Sequence, residues 1–153
     1  MPQYRSRDLR KGRYSEPGRI YLLTTVTRER RPIFRDFALA RLCIKAMRFE
    51  HERGVVNSLA LVVMPGHLHW LVELNQGDLA SLMKLFKCRV TGQSNRHCGQ
   101  SGSIWQPGYH DHALRKEEDL VEVARYLVAN PLRAGLVKKL ADYPHWDVVW
   151  LEG

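Results

Sequence analysis

The order of hydrophobic periods along this 153-residue chain predicts an α+β domain: one antiparallel sheet with helices packed on one face, in a ferredoxin-like arrangement. Three observations predict it. Segments with strand and helix periods follow one another as β-α-β-β-α-β-α. The second and third strand segments are joined only by Pro65-Gly66, so they read as antiparallel neighbours. No internal repeat or linker-like stretch divides the chain, and its length suits one domain with one core, residues 1–153.

Ile20–Val26 (IYLLTTV) is rich in β-branched and aromatic residues and reads as the first strand. A basic loop, TRERRP, follows it. Asp36 is placed to cap a helix running to about Arg53, with Leu39, Leu42, Cys43 and Ala46 as its apolar stripe and Gly54 as its stop. Val55–Met64 is apolar enough for a strand buried on both faces. At Pro65-Gly66, proline presets the first turn angle and glycine is expected to take a positive φ. His67–Glu73 is the third strand. Gly77-Asp78 opens a second helix with the stripe Leu79, Leu82, Met83, Phe86 and Val90, and residues 92–103 read as a Gly/Ser-rich loop. Ile104–Gln106 and His110–Leu114 form a fourth strand broken near Pro107-Gly108. A last helix runs from about Glu117 to Asn130 on the stripe Leu120, Val123, Ala124, Leu127 and Val128, and Pro131 ends it. Residues 1–18 are a polar, basic arm without hydrophobic period, and the tail, residues 138–153, carries no clear pattern.

Charge is the unusual bulk property. Lys plus Arg number 24 against 16 Asp plus Glu, a formal charge of +8. That surplus favours a polyanionic partner, because each phosphate contact releases condensed counterions. In the arm, Arg5, Arg7, Arg10, Lys11 and Arg13 alternate with Tyr4 and Tyr14, a mixture suited to a phosphate backbone with stackable bases. The three cysteines, Cys43, Cys88 and Cys98, are widely spaced and suggest neither a disulfide framework nor a zinc ribbon. No apolar stretch is long enough to span a bilayer and no secretory h-region is visible, so a reduced, cytoplasmic setting without membrane partners is expected.

Two constellations can carry chemistry. His67 and His69 stand at i and i+2 of a strand, so both imidazoles project from one face, roughly 7 Å apart at Cβ, and can close on one metal ion. Tyr126 falls roughly 130° from the centre of its helix's apolar stripe, and Asn130 lies one turn further on the same side. A phenol is a weak nucleophile at neutral pH, yet it can attack a phosphodiester whose oxygens a metal polarises. The product keeps the bond energy in a phosphotyrosine link, consistent with the lack of a GxxxxGK[ST] nucleotide loop. His110 and His112 form a second His-x-His and are alternative ligands. His51, His97 and His145 read as solvated, and Cys43 as core.

The segment VVMPGHLHWLVEL resembles the His-hydrophobic-His motif of single-tyrosine transposases, and IWQPGYHDHALR followed by YLVANPLRAGLV resembles the REP-associated tyrosine transposases. The resemblance covers about Arg19 to Val137 and departs from the family at Gly66, where asparagine is frequent. It implies an HUH-type nuclease/transposase fold and a Mg²⁺ or Mn²⁺ ion held by His67 and His69, with Asn130 completing the site. It also implies Tyr126 as the nucleophile, and single-stranded DNA bearing hairpins of repetitive extragenic palindromes as the substrate. Lys84, Lys87, Arg89 and Arg133 join the arm as candidates for gripping DNA by charge. The competing expectation is a hairpin-DNA-binding regulator without turnover; a replication initiator fits the short chain less well. Monomer and homodimer remain open, and with them whether Tyr126 acts on its own chain's metal site.

Overall fold

The computed structural model describes residues 15–115 and 120–149. The arm residues Arg5, Arg7, Arg10, Lys11 and Arg13 lie outside them. The elements are β1 (Ile20–Val26), α1 (Phe37–Glu52), β2 (Val56–Val63), β3 (His67–Leu74), α2 (Leu79–Cys98), β4 (His110–Ala113), α3 (Leu120–Val128), the short α4 (Asn130–Arg133) and β5 (Trp146–Val148). The sheet order is β4-β1-β3-β2-β5, with every pairing antiparallel. The β-α-β-β-α-β unit and the order of its four strands are those of the ferredoxin-like arrangement.

Alternation along β1 sends Tyr21 and Leu23 to one side of the sheet and Leu22 and Thr24 to the other. The first side carries the larger core: Leu23, Leu68 and Trp70 meet Cys43 and Met47 of α1 and Phe86 and Val90 of α2. The two crossover helices thus share one face, as the element order predicts. On the opposite face Ala60, Val62 and Leu71 pack against Ala124, Leu127 and Val128 of α3. That second layer brings α3, and with it Tyr126, over the face of the sheet that holds His67 and His69.

Local chemistry sets the helix ends. Asp36 caps α1 by accepting from the backbone N–H groups of Ala38 (2.9 Å) and Leu39 (3.3 Å), and Asp78 caps α2 from Ser81 (2.7 Å). α2 is longer than its composition suggests. It absorbs residues 92–98 of the expected loop and stops at Gly99, whose φ of 65° is left-handed. Its buried stripe explains this, because Phe86, Val90 and Ser94 continue at i+4 intervals and no proline interrupts them.

The tail forms part of the fold. β5 adds a fifth strand beside β2, pairing Trp146 with Val62 and Val148 with Ala60. Before it, the Tyr143 hydroxyl donates to the Val63 carbonyl at 2.5 Å and the His145 carbonyl accepts from the Val63 N–H at 2.9 Å. His145 is therefore buried against Phe37 and Tyr143 rather than solvated. His51 also has a partner, its Nδ1 accepting from the Ser58 N–H at 3.0 Å.

The Pro65-Gly66 turn departs from expectation in its cause. Positive φ angles occur at Gly18, Gly54, Gly77, Gly99, Gly102, Gly108 and Gly135, and Gly66 is not among them. Glycine is required there by space instead, since a Cβ on Gly66 would lie 2.8 Å from the carbonyl oxygen of Arg30.

Candidate active site

Strand register builds the site. Directly paired residues of antiparallel strands share a face, so His110, Thr24, His69 and Val62 form one row across four strands, with His67 opposite Val26 one step along. The His67 and His69 rings lie edge to face, with centroids 5.1 Å apart. Thr24 Oγ1 is 2.8 Å from His69 Nδ1. That bond orients the ring and leaves Nε2 for a ligand. Burial lowers the pKa of His67, with Arg30 adding to the effect. Burial, then His67 and Arg133, push His69 down to about 4. Near pH 7 His69 is neutral, the state in which an imidazole nitrogen can bind a metal ion.

From the opposite layer, α3 brings Tyr126. Its ring is 69% exposed although α3 is otherwise anchored by buried Ala124, Leu127 and Val128, so the phenol is spared from packing. The Arg133 guanidinium lies 3.7 Å from the centroid of the Tyr126 ring. Asn130 has a definite local task. Pro131 has no N–H to give the Leu127 carbonyl one turn earlier, and Asn130 Nδ2 donates to that carbonyl instead, at 2.7 Å. Its nitrogen being committed, Oδ1 is the atom left for a ligand. Between the sheet and α3 a cavity of about 270 Å³ is lined by Leu22, His69, Val123, Tyr126, Leu127, Asn130 and Arg133 of the same chain.

The donors on this face are a mixed nitrogen and oxygen set, which would leave several positions of a divalent cation open. Two imidazoles and one amide oxygen are available, and among the described residues no cluster of three His, Cys, Asp or Glu side chains could enclose an ion. His110 and His112 share the face of His67 and His69 but stand exposed on the edge strand. With β1 between them, His110 is two strand spacings, roughly 10 Å, from His69.

Of the described basic residues singled out from sequence, only Arg133 lines this cavity. Lys84, Lys87 and Arg89 ride on α2, across the sheet. Lys87 Nζ donates to the carbonyls of Gln106 (3.1 Å) and Gly108 (2.5 Å), bracing the turn before β4. Arg89 stacks 3.8 Å from the centroid of the Phe49 ring. Lys84 is exposed on the same helix. Sequence reasoning missed Thr24, whose partnership with His69 exists only once β1 and β3 are in register.

Comparison with known proteins identifies the family and the fold. Residues 18–130 match the family described as "Transposase IS200 like". A REP-associated tyrosine transposase of Escherichia coli K12 is 35% identical over 95 residues, 58% of this chain and 54% of that protein, so the matched stretch spans about half of the relative's length. Among solved structures, a REP-associated tyrosine transposase bound to a REP hairpin superposes with a TM-score of 0.69 at 28% identity, covering 95% of this chain and 82% of that one. No helix among the described residues is long and apolar enough to cross a membrane. The chain belongs to the IS200-like transposase family, and within it is similar to the REP-associated tyrosine transposases.

Proposed function

We propose that this chain cleaves and rejoins single-stranded DNA beside REP-like hairpins, with Tyr126 as nucleophile and a Mg²⁺ or Mn²⁺ site formed by His67, His69 and Asn130. One observation carries the reading: Tyr126, Asn130 and His69 of a single chain line one cavity. Binding alone requires none of these three side chains there. The same observation favours action in cis.

In the proposed step the Tyr126 oxygen attacks a backbone phosphorus and the bond from phosphorus to the 3′ oxygen breaks. The 3′ oxygen leaves as a hydroxyl after taking up a proton, the phenolic proton passes to solvent, and the 5′ phosphate stays on the tyrosine. Attack by a strand's 3′ hydroxyl on this phosphotyrosine reverses the exchange, so rejoining consumes no nucleotide. Arg133, against the phenol ring, is placed to favour negative charge on the phosphate. His69, held by Thr24, presents a fixed neutral nitrogen. A divalent cation, when bound at these imidazoles, supplies Lewis-acid polarisation of the phosphoryl oxygens.

The test uses a labelled hairpin with a single-stranded flank, in Mg²⁺ or Mn²⁺. The wild type is expected to nick it, and a His67→Ala/His69→Ala double variant to bind it without nicking. Equal nicking by the double variant would refute the metal assignment. Binding without nicking by the wild type, across both metals, would make the chain a hairpin-binding regulator instead.

A further inference from the structure

The basic loop after β1 is built against the active-site turn and has no part in the mechanism above. Glu29 and Arg30 have φ of 56° and 53°, the two positive values among the described non-glycine residues. Such conformations are unfavourable for residues with a Cβ and persist where the surroundings impose them. Here the turn leading into His67 imposes them. The Thr27 N–H donates to the Gly66 carbonyl at 3.0 Å, and the Phe34 N–H donates to the Pro65 carbonyl at 3.0 Å. The Thr27 hydroxyl lies 2.8 Å from the Arg31 carbonyl and 3.0 Å from that of Gly66. The Arg30 carbonyl fills the space where a Gly66 side chain would begin.

The strained segment thereby holds the Arg30 backbone against Gly66, the residue that precedes His67. Arg133 lines the cavity with His69 from the tyrosine side, its guanidinium against the Tyr126 ring. Both arginines are exposed, and neither forms an ion pair among the described residues. Two guanidiniums flanking a pair of cation ligands repel the cation. The arrangement becomes favourable when phosphate groups lie between the charges.

Resting on the proposed nicking of single-stranded DNA, we infer that Arg30 is a phosphate-binding residue that grips the DNA backbone on the His67 side of the site, opposite Arg133. The strained loop is the device that holds it there.

The test measures binding of a labelled hairpin with a single-stranded flank over a salt series, without added metal. Arg30→Gln is expected to weaken binding about tenfold. It should also reduce the slope of log K against log salt by about 0.7, one single-strand phosphate contact. Arg30→Lys should recover most of the slope. Arg48→Gln removes the same charge from an exposed position of α1 across the sheet, and should behave like wild type. Thermal melting checks that each variant is folded, and Arg30→Lys keeps the comparison valid should Arg30→Gln melt early. If Arg30→Gln matches Arg48→Gln in affinity and slope while the wild type nicks normally, this inference is overturned alone. If the slope falls in a protein that never nicks, the phosphate contact stands and the catalytic reading fails.

Discussion

Asn130 joins two tasks in one side chain. Its Nδ2 replaces the hydrogen bond that Pro131 cannot donate, and this fixes the amide at the cavity where Tyr126 and His69 meet. Asn130→Ala is therefore expected to cost about 1 kcal/mol by denaturant unfolding, through the orphaned Leu127 carbonyl, and to suppress nicking far more than that loss implies. Unaltered nicking would remove Asn130 from the site. The residue pattern was readable at this scale where it depends on local period: His67 and His69 on one face, Tyr126 off the apolar stripe, Asn130 one turn on. It was unreadable where the cause lies in distant chain. Thr24 meets His69 only across the sheet, and Gly66 is glycine because Arg30 lies against it rather than because of its own φ.

At the scale of elements, the sheet and its two crossover helices follow from the order of periods, with β2 and β3 joined by too short a turn for any pairing but antiparallel. The last helix closes at Val128, so that Asn130 and Pro131 open α4, and Ile104–Gln106 lies outside β4, with Trp105 making an isolated bridge to Thr27. Two further elements were misread for physical reasons. Composition suggested a loop at residues 92–103, but the buried stripe of α2 outweighs weak helix formers as far as Cys98. The tail lacks a hydrophobic period because β5 is three residues long and its segment is held by side-chain bonds to β2. Burial raises the Tyr143 hydroxyl to about 12, so it remains a donor to the Val63 carbonyl throughout the neutral range. Tyr143→Phe should cost about 1–3 kcal/mol, the penalty of a buried carbonyl left unpaired, read as a lower midpoint in urea with unchanged slope. An unchanged midpoint would mean that the tail does not brace β2.

At the scale of the molecule, the histidines link stability to pH. In the unfolded chain they take up protons near 6.5, whereas folded His69 does so only near 4, and His67 and His145 are shifted in the same direction. Between those values the unfolded state binds more protons. Stability is thus fully present above about pH 6.5 and is lost as pH falls toward 4. Melting temperatures measured without metal should drop through this window, and His69→Gln should flatten the drop; a flat wild-type profile would contradict the burial argument. The charge of +8 belongs to this scale too, favouring DNA without naming it. The sheet and α3 bring the candidate residues His69, Tyr126 and Asn130 to one cavity.

Mass analysis of the protein after incubation with hairpin DNA and Mn²⁺ tests that centre most directly. The account predicts a covalent adduct carrying the 5′ phosphate and the downstream strand, mapped by peptide digestion to Tyr126 and missing in Tyr126→Phe, which still binds the hairpin. An adduct at another residue, or equal nicking by Tyr126→Phe, would contradict it.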